Sequence, residues 1–160
     1  MALVVKPPSP LHKAPGTIAV FLAGSIEMGA AGPWQAEIEA AFAETPVTLW
    51  NPRRDDWDAT WRQSLDEPKF REQVEWELEA QERADLIVMY FAPGTRSPIT
   101  LLELGLFARS GRLVVCCPEG YWRRGNVQVV CRRYGVREAE SLAALTAAIA
   151  GAVGGSPRPC

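Results

Sequence analysis

The sequence predicts a single α/β domain built on a doubly wound, five-stranded parallel sheet with the flavodoxin-like strand order 2-1-3-4-5. Short apolar segments alternate with segments of helical spacing along most of the 160 residues, as in proteins built from strand–helix–strand units. The strand segments are apolar throughout, which is typical of parallel strands covered on both faces. Their number, about five, suits a doubly wound sheet of this order.

The predicted elements begin after a Pro-rich segment at residues 1–16, which we expect to be a flexible leader. A strand at 17–23 is followed by a helix at 33–43, where Pro33 suits the first helical position. The later elements are a strand at 47–50, a helix at 70–83, a strand at 85–90, a helix at 98–110, a strand at 113–117, a helix at 125–134, a short strand near Val136 and a helix at 141–150. The domain is therefore expected to span residues 17–151, with a loose tail at 152–160.

Composition and charge exclude several classes of function. The net charge of −2 gives no bulk attraction to a nucleic acid polymer or an anionic membrane. No apolar run approaches the roughly 20 residues of a membrane-spanning helix, and the apolar start of the chain is too short for a signal peptide. A cytoplasmic protein is expected.

The cysteines and the single histidine limit which side chains could bind a metal or act as acids and bases. The four cysteines have no C-x-x-C spacing, and the single histidine, His12, lies in the leader. Neither a metal site nor a disulfide scaffold is expected from this pattern, and no cofactor is indicated. Acid–base work is therefore expected to fall to carboxylates, Tyr or Lys.

The predicted topology brings two loops together. Ligands of doubly wound sheets bind beyond the carboxyl ends of the strands, where the strand order reverses. Here those ends carry Gly24-Ser25 and the segment from Tyr90 to Ser97. Backbone N–H groups of the glycine-containing turn could approach a sugar or phosphate, although the turn also reads as an ordinary strand-to-helix connection without G-x-G-x-x-G spacing.

Glu103 is the first candidate for chemistry. It is the one acid in an apolar helix that starts with Ser97 as expected N-cap and Pro98. Burying a carboxylate among leucines is unfavourable unless a cleft lets it meet a ligand. We expect the helix dipole to help keep it ionised. The alternative is a partly exposed glutamate on a helix rim.

Two further loops carry polar and aromatic groups. The segment from Asn51 to Trp57, with Trp61 beyond it, could close over a nucleobase by stacking, or its tryptophans could fill a small satellite core. The segment 121–126, ending at Asn126, reads either as part of the ligand edge or as a solvated rim or subunit contact.

Four motifs in order resemble the nucleoside 2-deoxyribosyltransferase family, which includes the deoxynucleoside monophosphate N-hydrolases. They are FLAGSIEMG at 21–29, Trp76-Glu77-Leu78, ADLIVMYF at 84–91 and SPITLLELG at 97–105, and the resemblance covers residues 17–136. It implies a retaining reaction at C1′ of a 2-deoxyribose, with Glu103 as nucleophile. Glu77 matches the acid that assists protonation of the leaving base, where the family has Asp.

Other positions of this sequence also match functional positions of the family, and some of them carry a different residue. Ser97 matches the residue at the 5′ end of the sugar, in the form found in the N-hydrolases, and Asn126 matches a residue contributed by a neighbouring subunit, in its transferase form. Phe21 replaces the family's tyrosine that touches the nucleophile, a contact that Tyr90 could replace. Glu27 stands where the N-hydrolases have Arg, and Arg96 could supply positive charge instead.

The sequence therefore predicts transfer of a deoxyribosyl group from a 2′-deoxynucleoside to an acceptor nucleobase, in a homo-oligomer with Asn126 near a neighbouring site. The alternatives are hydrolysis of deoxynucleoside 5′-monophosphates and a non-catalytic nucleotide-binding module. The PGT loop at 93–95 also resembles that of cytokinin-activating phosphoribohydrolases, but its spacing to the glutamate differs. The expected substrate-binding residues are Gly24, Ser25, Asn51, Trp57, Tyr90, Ser97 and Asn126.

Overall fold

A computed structural model describes residues 1–26 and 30–154. The strands in this part of the chain are β1 (Leu3–Val5), β2 (Ala19–Gly24), β3 (Thr48–Trp50), β4 (Leu86–Tyr90), β5 (Leu113–Cys116) and β6 (Arg137–Ala139). The helices are α1 (Trp34–Ala41), α2 (Pro68–Arg83), α3 (Pro98–Phe107), α4 (Arg124–Tyr134) and α5 (Leu142–Gly154).

The strands form one parallel sheet in the order β1-β3-β2-β4-β5-β6. The five strands predicted from the sequence are β2 to β6, and their spatial order is the expected 2-1-3-4-5. The predicted strand count was wrong by one, because β1 adds a sixth strand outside β3. The α/β flavodoxin-like class is confirmed.

The first sixteen residues are not the flexible leader that their proline content suggested. Strand β1 pairs with β3, and the backbone N–H of Asn51 donates to the carbonyl of Val5 at 3.0 Å. Beyond β1, the indole N–H groups of Trp76 and Trp50 donate to the carbonyls of Ser9 and His12 at 2.8 and 3.0 Å. Proline lacks an N–H, but the carbonyls around it still accept hydrogen bonds. Residues 1–16 therefore supply hydrogen-bond partners to the backbone of β3 and to two buried indole N–H groups.

The C-terminal boundary also differs from the expected one. Helix α5 continues to Gly154, three residues past the expected domain end at 151, because its apolar composition persists to Val153. The tail beyond it, 155–160, lies outside the described residues, as do Glu27 and Gly29.

The helices cover the two faces of the sheet unequally, and this places the site. Successive residues of β2 point to opposite faces, so that Phe21 and Ala23 belong to one core and Val20 and Leu22 to the other. The Phe21 core is closed by α2, α3 and α4, whereas α1 and α5 close the second core. Helices α2 and α3, which carry the two candidate acids, therefore share one face of the sheet.

No helix within the described ranges is both long and apolar enough to cross a membrane.

Candidate active site

The carboxyl ends of β2 and β4 meet at the point where the strand order reverses. Gly24 pairs with Tyr90 in the sheet register, and the backbone N–H of Ser25 donates to the Tyr90 carbonyl at 3.0 Å. Gly24 has a φ of +146°, and a Cβ there would lie 2.4 Å from the Tyr90 oxygen and 2.9 Å from the Trp34 ring. Only glycine allows this close approach of the two strands. The predicted convergence of the two loops is therefore present.

Three buried hydroxyl groups form a cluster at this edge. The hydroxyl of Ser25 contacts those of Thr95, at 3.0 Å, and Ser97, while Thr95 and Ser97 are 2.8 Å apart. Ser25 Oγ also accepts a hydrogen bond from the Ala92 N–H at 3.0 Å, and Thr95 donates to the Ala92 carbonyl at 2.8 Å. Two of the predicted sugar-binding residues, Ser25 and Ser97, are thus brought together across 72 positions of sequence, with Thr95 as a member that the sequence analysis did not single out.

The start of α3 is held in an unusual backbone conformation. Ser97, the predicted N-cap, has a φ of +46° and makes no side-chain cap hydrogen bond. Its hydroxyl joins the cluster instead. Pro98 then occupies the first turn of the helix, where its missing N–H is not needed.

Glu103 points to the sheet side of α3. The buried residues of this helix are Thr100, Glu103, Leu104 and Phe107, which is the spacing of one helical face. Glu103 is only 7% exposed, and its Oε2 has no hydrogen-bond partner among the described residues. The partly exposed rim position, the alternative from the sequence, does not fit this burial. A buried carboxyl oxygen without a partner is unfavourable in a protein interior, and it retains its capacity to accept a hydrogen bond.

Glu77 approaches the same region from α2. Its Oε1 accepts a hydrogen bond from the Gln73 amide nitrogen at 2.6 Å, and that nitrogen also donates to the Pro52 carbonyl at 2.8 Å. Gln81, one turn further along, donates to the backbone carbonyl of Glu77 at 3.1 Å. The side chain keeps some accessible surface, although protein atoms enclose its carboxyl group.

Both carboxyl groups are harder to ionise than ordinary glutamates. Burial raises the pKa of Glu77 to about 7, against the hydrogen bond from Gln73, which lowers it. Burial, and secondarily the charge of Glu77, raises the pKa of Glu103 to about 8, while a hydrogen bond from Gln81 acts in the opposite direction. The charge of Glu77 acts on Glu103, and the helices that carry the two acids pack in the same core.

The expectation that the helix dipole keeps Glu103 ionised is therefore not met in the ligand-free protein. The dipole acts mainly within the first turn of a helix, and Glu103 lies beyond it, with α3 beginning at Pro98. Burial is the first cause of the raised pKa of Glu103.

The loop after β3 is anchored by charged residues. The Arg54 side chain, 1% exposed, pairs with Asp56 at 2.6 Å and Glu72 at 2.8 Å and lies 5.0 Å from the Trp61 ring centroid. Trp57 packs edge-on against Trp61 with a centroid distance of 5.1 Å and is 43% exposed. Its exposed ring is open to stacking, and the pair does not form a buried satellite core.

Asn51 is placed at the end of β3, as predicted, but its amide already has partners. Its Nδ2 donates to Glu39 at 2.6 Å, and its Oδ1 accepts from the Arg53 N–H at 2.9 Å. The side chain is buried. These contacts shape the loop, and a direct contact with substrate stays a prediction.

Phe21 and Tyr90 lie on opposite faces of the sheet. Phe21 is buried and packs on Trp76 with a centroid distance of 6.4 Å. Tyr90 packs edge-on against Trp34, at 5.4 Å, with the core on the α1 side of the sheet. Because Glu103 lies on the other face, Tyr90 does not replace the family tyrosine beside the nucleophile. A contact between Tyr90 and substrate at the strand end stays a prediction.

Asn126 lies near the start of α4 with its side chain exposed. It is not brought together with Glu77 and Glu103 in the described chain. This exposure leaves it available to a neighbouring subunit, and that role also stays a prediction.

Besides Thr95, four further polar residues of the region, Gln73, Gln81, Arg53 and Gln35, were not predicted from the sequence as site residues. Gln73 and Gln81 flank Glu77 at i−4 and i+4, a spacing that places them on one helix face and could have signalled them. Arg53 donates to the Gly32 carbonyl at 3.3 Å, while its buried Nε has no partner in the described residues. Gln35 is also fully buried with both amide atoms unpartnered there, and nothing in the structure explains it.

Residues 1–26 and 30–154 contain no group of three or more His, Cys, Asp or Glu arranged to hold a metal ion.

The fold and site together define an α/β protein with two buried carboxyl groups beside the switch point of its sheet. Residues 17–121 match the family model described as nucleoside 2-deoxyribosyltransferase like. The chain belongs to this family, which indicates an enzyme of the nucleoside deoxyribosyltransferase-like group. No curated protein sequence matches it significantly.

Among solved structures, the crystal structure of a conserved protein from Enterococcus faecalis V583 is similar to this chain, with a TM-score of 0.62 and 12% sequence identity. The match covers 85% of this chain and 99% of that one. At this identity the likeness establishes the fold alone.

Proposed function

We propose that this protein cleaves the N-glycosidic bond of a 2′-deoxynucleoside and transfers the deoxyribosyl group to an acceptor nucleobase. The observation that carries the proposal is the pair of enclosed carboxyl groups of Glu77 and Glu103, of which Glu103 has a carboxyl oxygen without a partner among the described residues. Membership of the family supports the reaction class.

The proposed reaction uses the two acids in different protonation states. A carboxylate oxygen of Glu103 attacks C1′, the C1′–N bond breaks with its electron pair passing to the base, and Glu77 gives its proton to a base nitrogen. The acceptor base then attacks C1′ of the glycosyl-Glu103 ester, releases the Glu103 carboxylate and returns a proton to Glu77. Configuration is retained after two displacements.

The order of the two raised pKa values, about 7 for Glu77 and about 8 for Glu103, places a single proton mainly on Glu103 in the ligand-free protein, so the productive form with the proton on Glu77 is the minor one-proton state. Glu77, with a pKa of about 7, is close to the operating pH expected of an efficient general acid and base. Glu103 must lose its proton to attack, so the productive enzyme holds one proton, on Glu77. The anion of Glu103 is then desolvated and reactive.

Base exchange tests the proposal directly. Purified protein incubated with deoxyinosine and free adenine is expected to produce deoxyadenosine, which is detected by chromatography. The Glu103→Gln variant is expected to produce none. Glu75→Gln is a matched control, because Glu75 is exposed on α2 and contacts Arg71 at the surface. If no nucleoside in a broad panel reacts while ligands bind tightly, the protein is a binding module, and the proposal fails.

A second candidate, hydrolysis of deoxynucleoside 5′-monophosphates, is favoured by the hydroxyl cluster of Ser25, Thr95 and Ser97. These hydroxyls could exchange their mutual hydrogen bonds for a phosphate. Free base released from dGMP or dCMP, with no exchange from nucleosides, would make this the activity. Ser97→Asp discriminates further, since an added carboxylate repels a phosphate, and Asp tolerates the left-handed backbone of that position.

We also propose a homo-oligomer as the working form. The solvent side of α3 exposes Ile99, Leu102 and Leu106, which are 58%, 60% and 55% exposed. These residues form an apolar stripe on the helix that carries Glu103, and Val129 on α4 is 69% exposed. Covering such a stripe with a second copy would remove apolar surface from water and could bring Asn126 to a neighbouring site.

A further inference from the structure

The amide of Gln73 connects the Glu77 carboxyl to the loop that follows β3. Gln73 lies one helical turn before Glu77 on α2 and is 6% exposed. Its Nε2 donates one hydrogen bond to the Pro52 carbonyl at 2.8 Å and the other to Glu77 Oε1 at 2.6 Å. Both hydrogens of the amide nitrogen are therefore used.

The acceptors determine how this amide is oriented. A backbone carbonyl accepts hydrogen bonds and never donates them, so the group facing Pro52 must be the nitrogen. The same nitrogen then faces Glu77 Oε1, which acts as the acceptor whether the carboxyl is ionised or protonated. In the protonated acid the hydrogen consequently resides on Oε2.

We propose that Gln73 is the positioning residue of the proton donor: it fixes the Glu77 carboxyl against the loop after β3 and assigns the transferable proton to Glu77 Oε2. The inference rests on the proposed function, in which Glu77 exchanges a proton with the base. It also ties the acid to the loop containing Trp57, the expected partner of that base.

Within the described part of the chain, few titratable groups surround Glu77, so an effect of Gln73 on the pKa of Glu77 can be measured. The charged group that acts on the pair from the neighbouring helix is Glu103 on α3. From the loop after β3 the contact passes through the Pro52 carbonyl, which does not titrate, and on α2 itself the neighbours are the neutral amides of Gln73 and Gln81. A hydrogen bond from Gln73 stabilises the ionised carboxyl, so its removal must raise the pKa of Glu77.

The test replaces Gln73 by methionine, which keeps the length of the side chain but cannot donate. In the ligand-free protein, the titration of Glu77 is followed by ¹³C NMR of the glutamate carboxyl, with Glu77→Gln used for assignment. We expect Gln73→Met to move this titration upward by about one pH unit. Glu79→Gln, an exposed change on the same helix at a residue paired with Arg83, is expected to leave it in place.

The kinetic arm uses the pH dependence of turnover. With Glu77 acting as the acid, the alkaline limb of kcat in Gln73→Met is expected to move upward with the NMR titration, and kcat at its optimum to fall about tenfold because the carboxyl is no longer held. KM is expected to change less. Gln73→Asn keeps an amide that is too short to span both partners and is expected to behave like Gln73→Met.

Unchanged Glu77 titration in a folded Gln73→Met protein would overturn the inference, as would an unmoved pH profile with full kcat. Thermal unfolding reports whether each variant folds, and Gln73→Asn takes the place of a Gln73→Met that does not. Failure of the proposed function looks different: wild-type protein then shows no turnover, while the NMR titration still shows whether Gln73 controls the Glu77 proton.

Discussion

Gly24 and Tyr90 end neighbouring strands so closely that a single methyl group on Gly24 would lie 2.4 Å from the Tyr90 carbonyl oxygen. This contact closes the switch point of the sheet. It also sets the position of Ser25, whose N–H donates to the same carbonyl. The hydroxyl cluster and the start of α3 depend on this approach.

Gly24→Ala is therefore expected to destabilise the protein by about 3 kcal/mol, since it combines a steric clash with backbone strain. Chemical denaturation measures this directly. Gly105→Ala is the matched control: Gly105 lies within α3, and a Cβ there meets nothing within 4 Å. That change is expected to stabilise by about 0.5–1 kcal/mol, and equal effects of the two substitutions would contradict the interpretation.

Glu103→Gln is expected to stabilise the protein at alkaline pH while abolishing turnover. The folded-state pKa of Glu103 is raised from 4.5 to about 8, so its contribution to stability is lost as the pH rises from the unfolded to the folded value. The neutral amide carries no such penalty. The free energy of unfolding at pH 9 should exceed that of the wild type by about 3 kcal/mol, and the difference should shrink toward pH 5.

Urea unfolding at several pH values checks this linkage. Glu79→Gln, on the exposed side of α2, provides the control and should show no comparable gain at high pH. A Glu103→Gln protein less stable than the wild type at pH 9 would mean that the Glu103 carboxylate has a stabilising partner.

Turnover is expected to follow a bell-shaped pH profile. The productive enzyme needs Glu103 ionised and Glu77 protonated. The pKa values of about 7 for Glu77 and about 8 for Glu103 place the one-proton enzyme between these pH values, with the productive arrangement as its minor form. Activity should fall on the acid side, where both acids are protonated, and on the alkaline side, where both are ionised. The pH dependence of kcat for base exchange measures it. Activity that keeps rising to pH 10 would exclude Glu77 as the proton donor.

Leu102→Glu is expected to weaken self-association. Leu102 lies in the centre of the exposed stripe on α3, and a charge there opposes its burial against a second copy. Light scattering after gel filtration should show a lower mass at the same protein concentration. Glu140→Gln, an exposed change after β6, serves as the control. A wild-type protein that is monomeric at all concentrations would exclude the oligomer.

The apolar surroundings of Glu103 and the family resemblance at Glu77 were enough to predict these two acids as site residues, but not their electrostatics. A lone acid among leucines in 97–105 indicated a buried carboxyl with a role, because burial without function is unfavourable. The raised pKa of Glu103 depends on how completely α3 packs on the sheet and on the distance to Glu77 across two helices. Neither quantity is encoded in local spacing.

The leader shows a different reason for a missed element. Three apolar residues, Leu3–Val5, are too short a run among prolines to signal a strand by period alone. They become β1 because β3 has an unpaired edge, and an edge strand needs a partner for its N–H and C=O groups. This requirement arises only once the sheet has formed.

The sequence by itself determined the parallel sheet, the order of its five main strands and the family, and it singled out Glu77 and Glu103 as candidate acids, because apolar periodicity and short motifs are local signals. Only the tertiary structure decided that Tyr90 faces away from Glu103, that Ser25 and Ser97 share a hydroxyl cluster, and that Gln73 holds Glu77. These facts depend on which face of the sheet a side chain takes and on contacts between segments far apart in the chain. Contacts of this kind are set by how the helices and strands pack together.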